Sequence, residues 1–297
     1  MKILITGSSG MVGSELVLWC QQNNIELLRL VSSGKKGPNI FRWSVDNGII
    51  DPIPYTEIDI VVHLAGESIA SKPWSQEQKN RILKSRVLPL QLLYKGFKDS
   101  NHWPKKIISA SGTGIYPAFE NNTYEEESNV GNNFLSDVCI EWEKAAKEYS
   151  SHSQVYIHRF GVVLGKKGFL KEILAPAKWY AGAVPGSGNQ YVPWIHIQDL
   201  VKVLTDSIEG KLEPNTYNVV APELADMQTI TKKAIHAINR KLLLPNLPVF
   251  LVNFLFGERA LLLLSSQKVL PSNLQKASFS FTYPDLDSAL NNLLKRK

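Results

Sequence analysis

Runs of Ile, Leu and Val alternate along the chain with longer stretches in which apolar residues recur every three or four positions. The continuous runs at 2–6, 26–32, 58–64, 105–110 and 155–163 predict strands buried on both faces. Helix-period stretches at 11–23, 75–99, 133–150 and 198–208 fall between or after them. Strand–helix–strand alternation of this kind predicts an α/β fold, a Rossmann-type doubly wound parallel sheet. Near Leu244 the pattern changes. Pro245 and Pro248 bracket a short linker, an apolar stretch follows over 249–264, and a helix-like tail covers 285–295. The division expected is a large α/β domain over 1–243, with cleft-forming insertions, and a small C-terminal lobe over 244–297.

The first strand runs directly into Thr6-Gly7-Ser8-Ser9-Gly10-Met11-Val12-Gly13, and a helix follows. Glycines at Gly7, Gly10 and Gly13 have the spacing of a dinucleotide-binding turn. The first permits the tight turn, the second admits a pyrophosphate against the backbone, and the third lets helix and strand pack closely. Ser9, Met11 and Val12 complete the cradle. The phosphates would meet the N-terminus of a helix, where free N–H groups and the dipole favour anions. At the end of the second strand an NAD enzyme usually places Asp or Glu. Here the residues are Leu30-Val31-Ser32-Ser33-Gly34-Lys35-Lys36, without a carboxylate. Ser32, Ser33 and Lys35 or Lys36 suit a 2′-phosphate, so NADP is the cofactor expected; an exposed basic loop is the plainer alternative.

Composition narrows the classes. The 297 residues carry a net charge of +6, and the basic pairs are scattered along the chain. That argues for a solvated surface and a mild field for anionic ligands, not for nucleic-acid binding. Two cysteines, Cys20 and Cys139, supply neither a disulfide framework nor a zinc motif, and the six histidines lack metal-ligand spacing, so no metal is expected. No run is long enough for a membrane span or a signal peptide, and a cytoplasmic location is expected.

Several motifs together carry a family resemblance. They are the glycine turn, His63-Leu64-Ala65-Gly66-Glu67, Trp74-Ser75, Ser85-Arg86-Val87, Trp142-Glu143, Gly186-Ser187-Gly188, Trp194-Ile195-His196-Ile197, Gln267-Lys268-Val269-Leu270-Pro271 and Tyr283-Pro284-Asp285-Leu286. Over nearly its whole length the chain resembles the extended short-chain dehydrogenases/reductases, and most closely their atypical, sugar-nucleotide epimerase-like branch. The resemblance implies a seven-stranded Rossmann core, a small C-terminal domain and NADP. It implies that Leu64, Ala65, Gly66 and Glu67 line the cofactor, Ala65 and Gly66 leaving room on the adenosine side. Arg159 and the segment holding Trp194 and His196 would shape the substrate cleft, although a Trp-Ile-His-Ile strand reads equally well as core.

Ordinary members carry a Tyr-x-x-x-Lys helix in which lysine lowers the pKa of a tyrosine acid/base. In the matching stretch here Leu135 stands at the tyrosine position and Cys139 at the lysine position. Neither supplies the proton chemistry. Ser111, Thr113 and Tyr116 follow the run at 105–110, at the sheet edge where α/β sites form, and are the candidate catalytic substitutes. Lys79 would orient an anionic substrate and Arg86 would clamp a cofactor phosphate or carboxylate; both also fit a solvated helix face. The expectation is an NADP-dependent oxidoreductase or epimerase-like enzyme for a small polar substrate of sugar-nucleotide or other anionic type. The alternative is a catalytically weak NADP-binding protein that reports redox state or engages a partner.

Overall fold

The computed structural model describes residues 1–33, 37–120 and 122–294. Its strands are β1 Lys2–Thr6, β2 Glu26–Val31, β3 Ile40–Ser44, β4 Ile49–Ile50, β5 Ile60–His63, β6 Lys106–Gly112 and β7 Thr123–Tyr124. They continue as β8 Gln154–Phe160, β9 Val162–Leu164, β10 Tyr191–Val192, β11 Trp194–His196, β12 Thr216–Val219, β13 Ala225–Asp226 and β14 Lys268–Val269. The helices are α1 Met11–Gln22, α2 Gln76–Asp99, α3 Phe134–Lys147, α4 Phe169–Ala177 and α5 Ile197–Glu209. After them come α6 Met227–Ala237, α7 Val249–Phe256, α8 Leu261–Leu264, α9 Ser272–Lys276 and α10 Leu286–Leu294.

Eight strands form the main sheet in the order β12-β8-β6-β5-β1-β2-β3-β4. The pairs are parallel except β3–β4, which closes one edge antiparallel. The chain leaves β1 towards β2 and β3, then returns to β5 on the other side of β1. That reversal creates a crevice at the carboxyl ends of β1 and β5, the position where open α/β sheets hold ligands. Alternate residues of β1 feed the two faces. Ile3 and Ile5 pack with Leu16 and Cys20 of α1 and with Leu200, Val203 and Leu204 of α5. Leu4 packs on the opposite face with Leu90, Leu93 and Phe97 of α2 and Trp142 of α3. This is the two-faced burial expected of continuous apolar strands.

Three departures from the pattern have physical causes. The run at 155–163 is two strands. At Gly161 an added Cβ would lie 2.8 Å from the Pro193 carbonyl oxygen, and β9 swings away to pair with β11. The edge strand β12 was masked by polar residues: its Asn218 is fully buried but hydrogen-bonded on both sides. The apolar stretch at 249–264 breaks at Gly257, which has φ +56° and opens a 3-10 turn between α7 and α8. Residues beyond 244 join the body of the fold: β14 pairs with β7, Leu274 of α9 enters the core beneath α5, and α10 packs with α6. Among the described residues no helix is long and apolar enough to cross a membrane.

Candidate nucleotide-binding site

The glycine turn sits in the crevice between β1 and β5. Gly7 has φ +70°, and a Cβ there would come within 2.6 Å of the Leu64 backbone. Gly13 is equally constrained, because its Cβ would run into the Gly7 carbonyl oxygen where α1 packs down on β1. Gly10 is different. Its φ of −69° and ψ of 172° suit any residue, and a Cβ would meet only the Gly7 oxygen, at 3.3 Å. The fold therefore asks for glycine at Gly7 and Gly13, whereas the space over exposed Gly10 is open.

The helix that follows starts without a side-chain cap, as α4, α7, α8 and α9 also do. Ser75, Asn133, His196 and Asp226 cap α2, α3, α5 and α6 with their side chains. The N-cap of α1 is Gly10, which has no side chain to offer, and the first turn carries no acid. Among the described residues no side chain accepts from the amides of Met11, Val12 and Gly13, which lie at the crevice in the field of the helix dipole. A dinucleotide pyrophosphate fits this donor set, and the residues Gly7 to Gly13 are those that would hold it. Ser9 and Gly10 are exposed beside it, and Ser8 is buried.

On the β5 side, Thr6 Oγ1 lies 2.7 Å from His63 Nδ1 and accepts from the Ala65 amide at 3.2 Å. His63 Nε2 is 3.1 Å from the Arg86 carbonyl oxygen. Burial drives the His63 pKa down to about 4, so at neutral pH it serves as an uncharged brace between the two strands and α2. Leu64 and Ala65 are half-buried and Gly66 is exposed along the crevice wall. Glu67 accepts from Gln78 at 3.3 Å, and its amide donates to Ser85 Oγ. Arg86 donates to the Glu67 and Ile82 carbonyl oxygens and sits 5.1 Å over the Trp142 ring. Burial lowers its pKa. Arg86 thus holds the 64–67 loop in place, directly beneath Gly66, where an added Cβ would come within 3.0 Å of it.

Ser32 and Ser33 are exposed just past β2. Lys35 lies outside the described residues. A cation that sequence reasoning missed is Arg29 of β2, whose Nε donates to Ser8 Oγ at 3.2 Å beside the glycine turn. Its place in an apolar run was the available signal. Met11 also touches the loop after β9: a Cβ on Gly165 would lie 2.9 Å from its sulfur, next to exposed Lys166 and Lys167.

At the end of β6 the candidate catalytic residues are brought together, but in a closed network. Ser111 Oγ donates to Glu143 at 2.9 Å. Arg159 grips both Glu143 oxygens, at 2.7 and 2.9 Å, and donates to the Tyr116 hydroxyl at 2.9 Å and the Glu126 carbonyl oxygen at 2.7 Å. Tyr116 in turn donates to Asn218 at 2.7 Å. Burial pushes the Tyr116 pKa up to about 12 despite Arg159. Burial opposes the Arg159 charge, and Glu143 outweighs it, raising the guanidinium pKa. Tyr116 is 0% exposed with both hydroxyl valences used, so the geometry gives it a structural place and not an acid facing a ligand. Thr113 stands one residue beyond β6, and among the described residues its hydroxyl has no protein partner. Tyr116→Phe should therefore lower unfolding free energy by about 1–3 kcal/mol, because it strands the buried Asn218 oxygen. Urea titration measures this, and an unchanged midpoint would place the hydroxyl outside the network.

Leu135 and Cys139 of α3 face the same edge. A Cβ on Gly114 would lie 3.2 Å from Leu135, and one on Gly112 3.6 Å from the Cys139 sulfur. Burial raises the Cys139 thiol pKa to about 11. The proposed substrate-contacting residues are spread out. Lys79 is ion-paired with Glu258 and lies 5.4 Å over the Phe134 ring. Trp194 is buried and donates to the Glu223 carbonyl oxygen. His196 is buried, accepts from the Gln198 amide and lies against Tyr283 at 3.8 Å. Trp194 and His196 are thus packed into the fold on β11, beside β9. Among the described residues no cluster of His, Cys, Asp and Glu could hold a metal ion.

Comparison with known proteins then decides the family. A model of the NAD dependent epimerase/dehydratase family matches residues 3–220. The chain belongs to this family. Residues 247–293 match a second model, described as a domain of unknown function, DUF1731. An epimerase family protein of Staphylococcus haemolyticus is 34% identical over 300 residues, 99% of each chain. The crystal structure of human epimerase family protein SDR39U1 (isoform 2) with NADPH is 29% identical, with a TM-score of 0.90 and 99% of both chains covered. A nucleoside-diphosphate sugar epimerase from Corynebacterium glutamicum is 28% identical with a TM-score of 0.78; the present chain spans 58% of its length. The chain is thus an NAD(P)-binding epimerase-family member with the atypical extended short-chain dehydrogenase/reductase architecture, as its motifs implied.

Proposed function

We propose that this epimerase-family chain is an NADPH-dependent oxidoreductase or epimerase-like enzyme acting on a small molecule that carries a carbonyl or secondary alcohol, in the cytoplasm. The observation that carries the reading is the uncapped, glycine-lined start of α1 in the β1–β5 crevice, with no carboxylate at the end of β2. The human relative crystallised with NADPH supports the choice of cofactor. Ser32, Ser33 and Lys35 would hold the 2′-phosphate, with Arg29 adding positive charge beside the turn. When bound, the cofactor supplies hydride exchange at its nicotinamide.

The protein's own part is to bind, orient and move a proton. Met11 to Gly13 anchor the pyrophosphate, and Ala65 and Gly66 leave room for the adenosine. Ser111 and Tyr116 serve the buried Arg159–Glu143 frame, which leaves Thr113 to donate to the substrate oxygen. Thr113→Val keeps the shape and removes the donor. It should lower turnover by about 10²–10³-fold with NADPH affinity unchanged. Full activity in that variant would remove Thr113 from the reaction.

Cofactor choice is tested by titrating tryptophan fluorescence with NADPH and with NADH. A charge-assisted phosphate contact is worth about 1.5–3 kcal/mol, so NADPH should bind about tenfold more tightly or better. Equal affinities would overturn the assignment. A second reading, a catalytically weak NADP-binding protein that senses redox state or engages a partner, draws on Leu135 and Cys139 facing the β6 edge. NADPH binding without turnover of any carbonyl or sugar-nucleotide substrate would favour it.

A further inference from the structure

Exposed apolar side chains are gathered on this protein, not scattered. Among the described residues, nine of the fifteen large ones lie in two segments, 179–180 and 243–256. Trp179 is 84% exposed just past α4, and α7 presents Phe250 and Phe254, one helical turn apart, at 74% and 83%. Of the eight residues of α7 only Val252 is buried. The two segments adjoin. The Leu247 amide donates to the Val184 carbonyl oxygen at 2.8 Å, the Gly186 amide to Leu247 at 2.9 Å, and the Asn246 side chain to Ser187 at 2.8 Å. Arg240, just before the second segment, sits 5.2 Å over the Tyr180 ring. Single exposed apolar residues need no account, but a gathered patch marks a surface that meets something apolar.

Charge is distributed as unevenly. Residues 173–198 and 227–257, which contain the two segments, include no Asp or Glu. They hold Lys178, Lys232, Lys233, Arg240 and Lys241. Lys233 is matched by Asp287 of α10, whereas Lys178, Arg240 and Lys241 form no ion pair among the described residues. Lys178, Trp179 and Arg240 line one cavity beside α10. The ends of α4 and α6 favour cations nearby through the helix dipoles, but the dipoles do not call for exposed phenylalanines. A second copy docked on this face about a two-fold axis would set these cations against themselves. Side chains that stand this far out of the surface also offer a folded partner little contour to match. They enter a fluid acyl boundary without one, with Trp and Tyr at headgroup level and Lys and Arg reaching phosphates.

We infer that the face formed by α7 and the 178–180 turn docks the protein on the surface of an anionic phospholipid bilayer. The protein would lie on the membrane without crossing it, and the inference is independent of the oxidoreductase reading. The test is co-sedimentation of the full chain with vesicles of phosphatidylcholine alone and of phosphatidylcholine with about one-third phosphatidylglycerol. The mixed vesicles should bind at least about tenfold more strongly, and added salt should weaken them. Phe250→Ser with Phe254→Ser should cost about tenfold or more, because both rings leave the acyl boundary. Lys178→Glu with Lys241→Glu should cost at least about tenfold on the mixed vesicles. Lys95→Glu with Lys98→Glu, exposed on α2, changes net charge equally and should have little effect. Circular dichroism and NADPH affinity should be unchanged in all three variants. The inference is overturned if mixed vesicles do not bind, if both vesicles bind equally, or if the α2 variant loses as much as the others. Dimers that the phenylalanine substitutions dissolve, without vesicle binding, would assign the face to a second copy. Poly-L-glutamate bound as tightly as the vesicles would assign it to an acidic polypeptide.

Discussion

Gly10→Val should abolish dinucleotide binding while the protein stays folded. The backbone at Gly10 is extended, a conformation valine adopts readily, and a Cβ has only one contact below 3.4 Å. The branched side chain would instead stand over the amides of Met11 to Gly13, in the space a pyrophosphate must enter. A loss of at least about 100-fold in NADPH affinity is expected, equal to about 2.8 kcal/mol. Circular dichroism should be unchanged. Gly13→Ala supplies the contrast, because its Cβ collides with the Gly7 backbone. That variant should lose stability, by about 1–3 kcal/mol or more for forced overpacking. If Gly10→Val is folded and binds NADPH normally, the nucleotide lies elsewhere.

Arg159→Leu should be the most destabilising single change at the site. Arg159 and Glu143 are 6% and 4% exposed, and Arg159 supplies both Nε and Nη2 to the carboxylate. Its removal leaves a buried carboxylate with Ser111 as its remaining close donor and takes a partner from Tyr116. Breaking a buried pair from one side costs about 3–5 kcal/mol. Replacing both partners, as in Arg159→Leu with Glu143→Leu, removes the stranded charge and should recover part of that loss. Urea unfolding of the two variants measures both effects. A single variant within about 1 kcal/mol of the parent would show that the pair does not hold the β6 edge together.

The Rossmann core was legible because its signals are local. Strand β1 coincides with the apolar run at 2–6, and α2 fills the predicted 75–99 stretch apart from its capping serine, even through Pro89. The glycine turn was legible for the same reason: one strand, three glycines and a helix lie within a few residues. What could not be read depends on partners distant in sequence. Asn218 is 102 residues from Tyr116, and Glu126 reaches across to the Asn218 amide. Their pairing makes polar β12 a core strand and turns Tyr116 from a candidate acid into a buried strut. Trp194 and His196 likewise carry cleft-like chemistry in sequence, but both are buried, with Trp194 Nε1 donating to Glu223 and His196 Nδ1 accepting at the start of α5. Arg29 escaped notice because its neighbours Leu28 and Leu30 point into the core while its own side chain turns to Ser8.

The most direct test of the central claim is a crystal structure of the NADPH complex. The pyrophosphate should lie on the amides of Met11, Val12 and Gly13, with the adenosine beside Ala65 and Gly66 and the 2′-phosphate at Ser32 and Ser33. A pyrophosphate bound away from the start of α1, or a 2′-phosphate remote from the end of β2, would contradict the account.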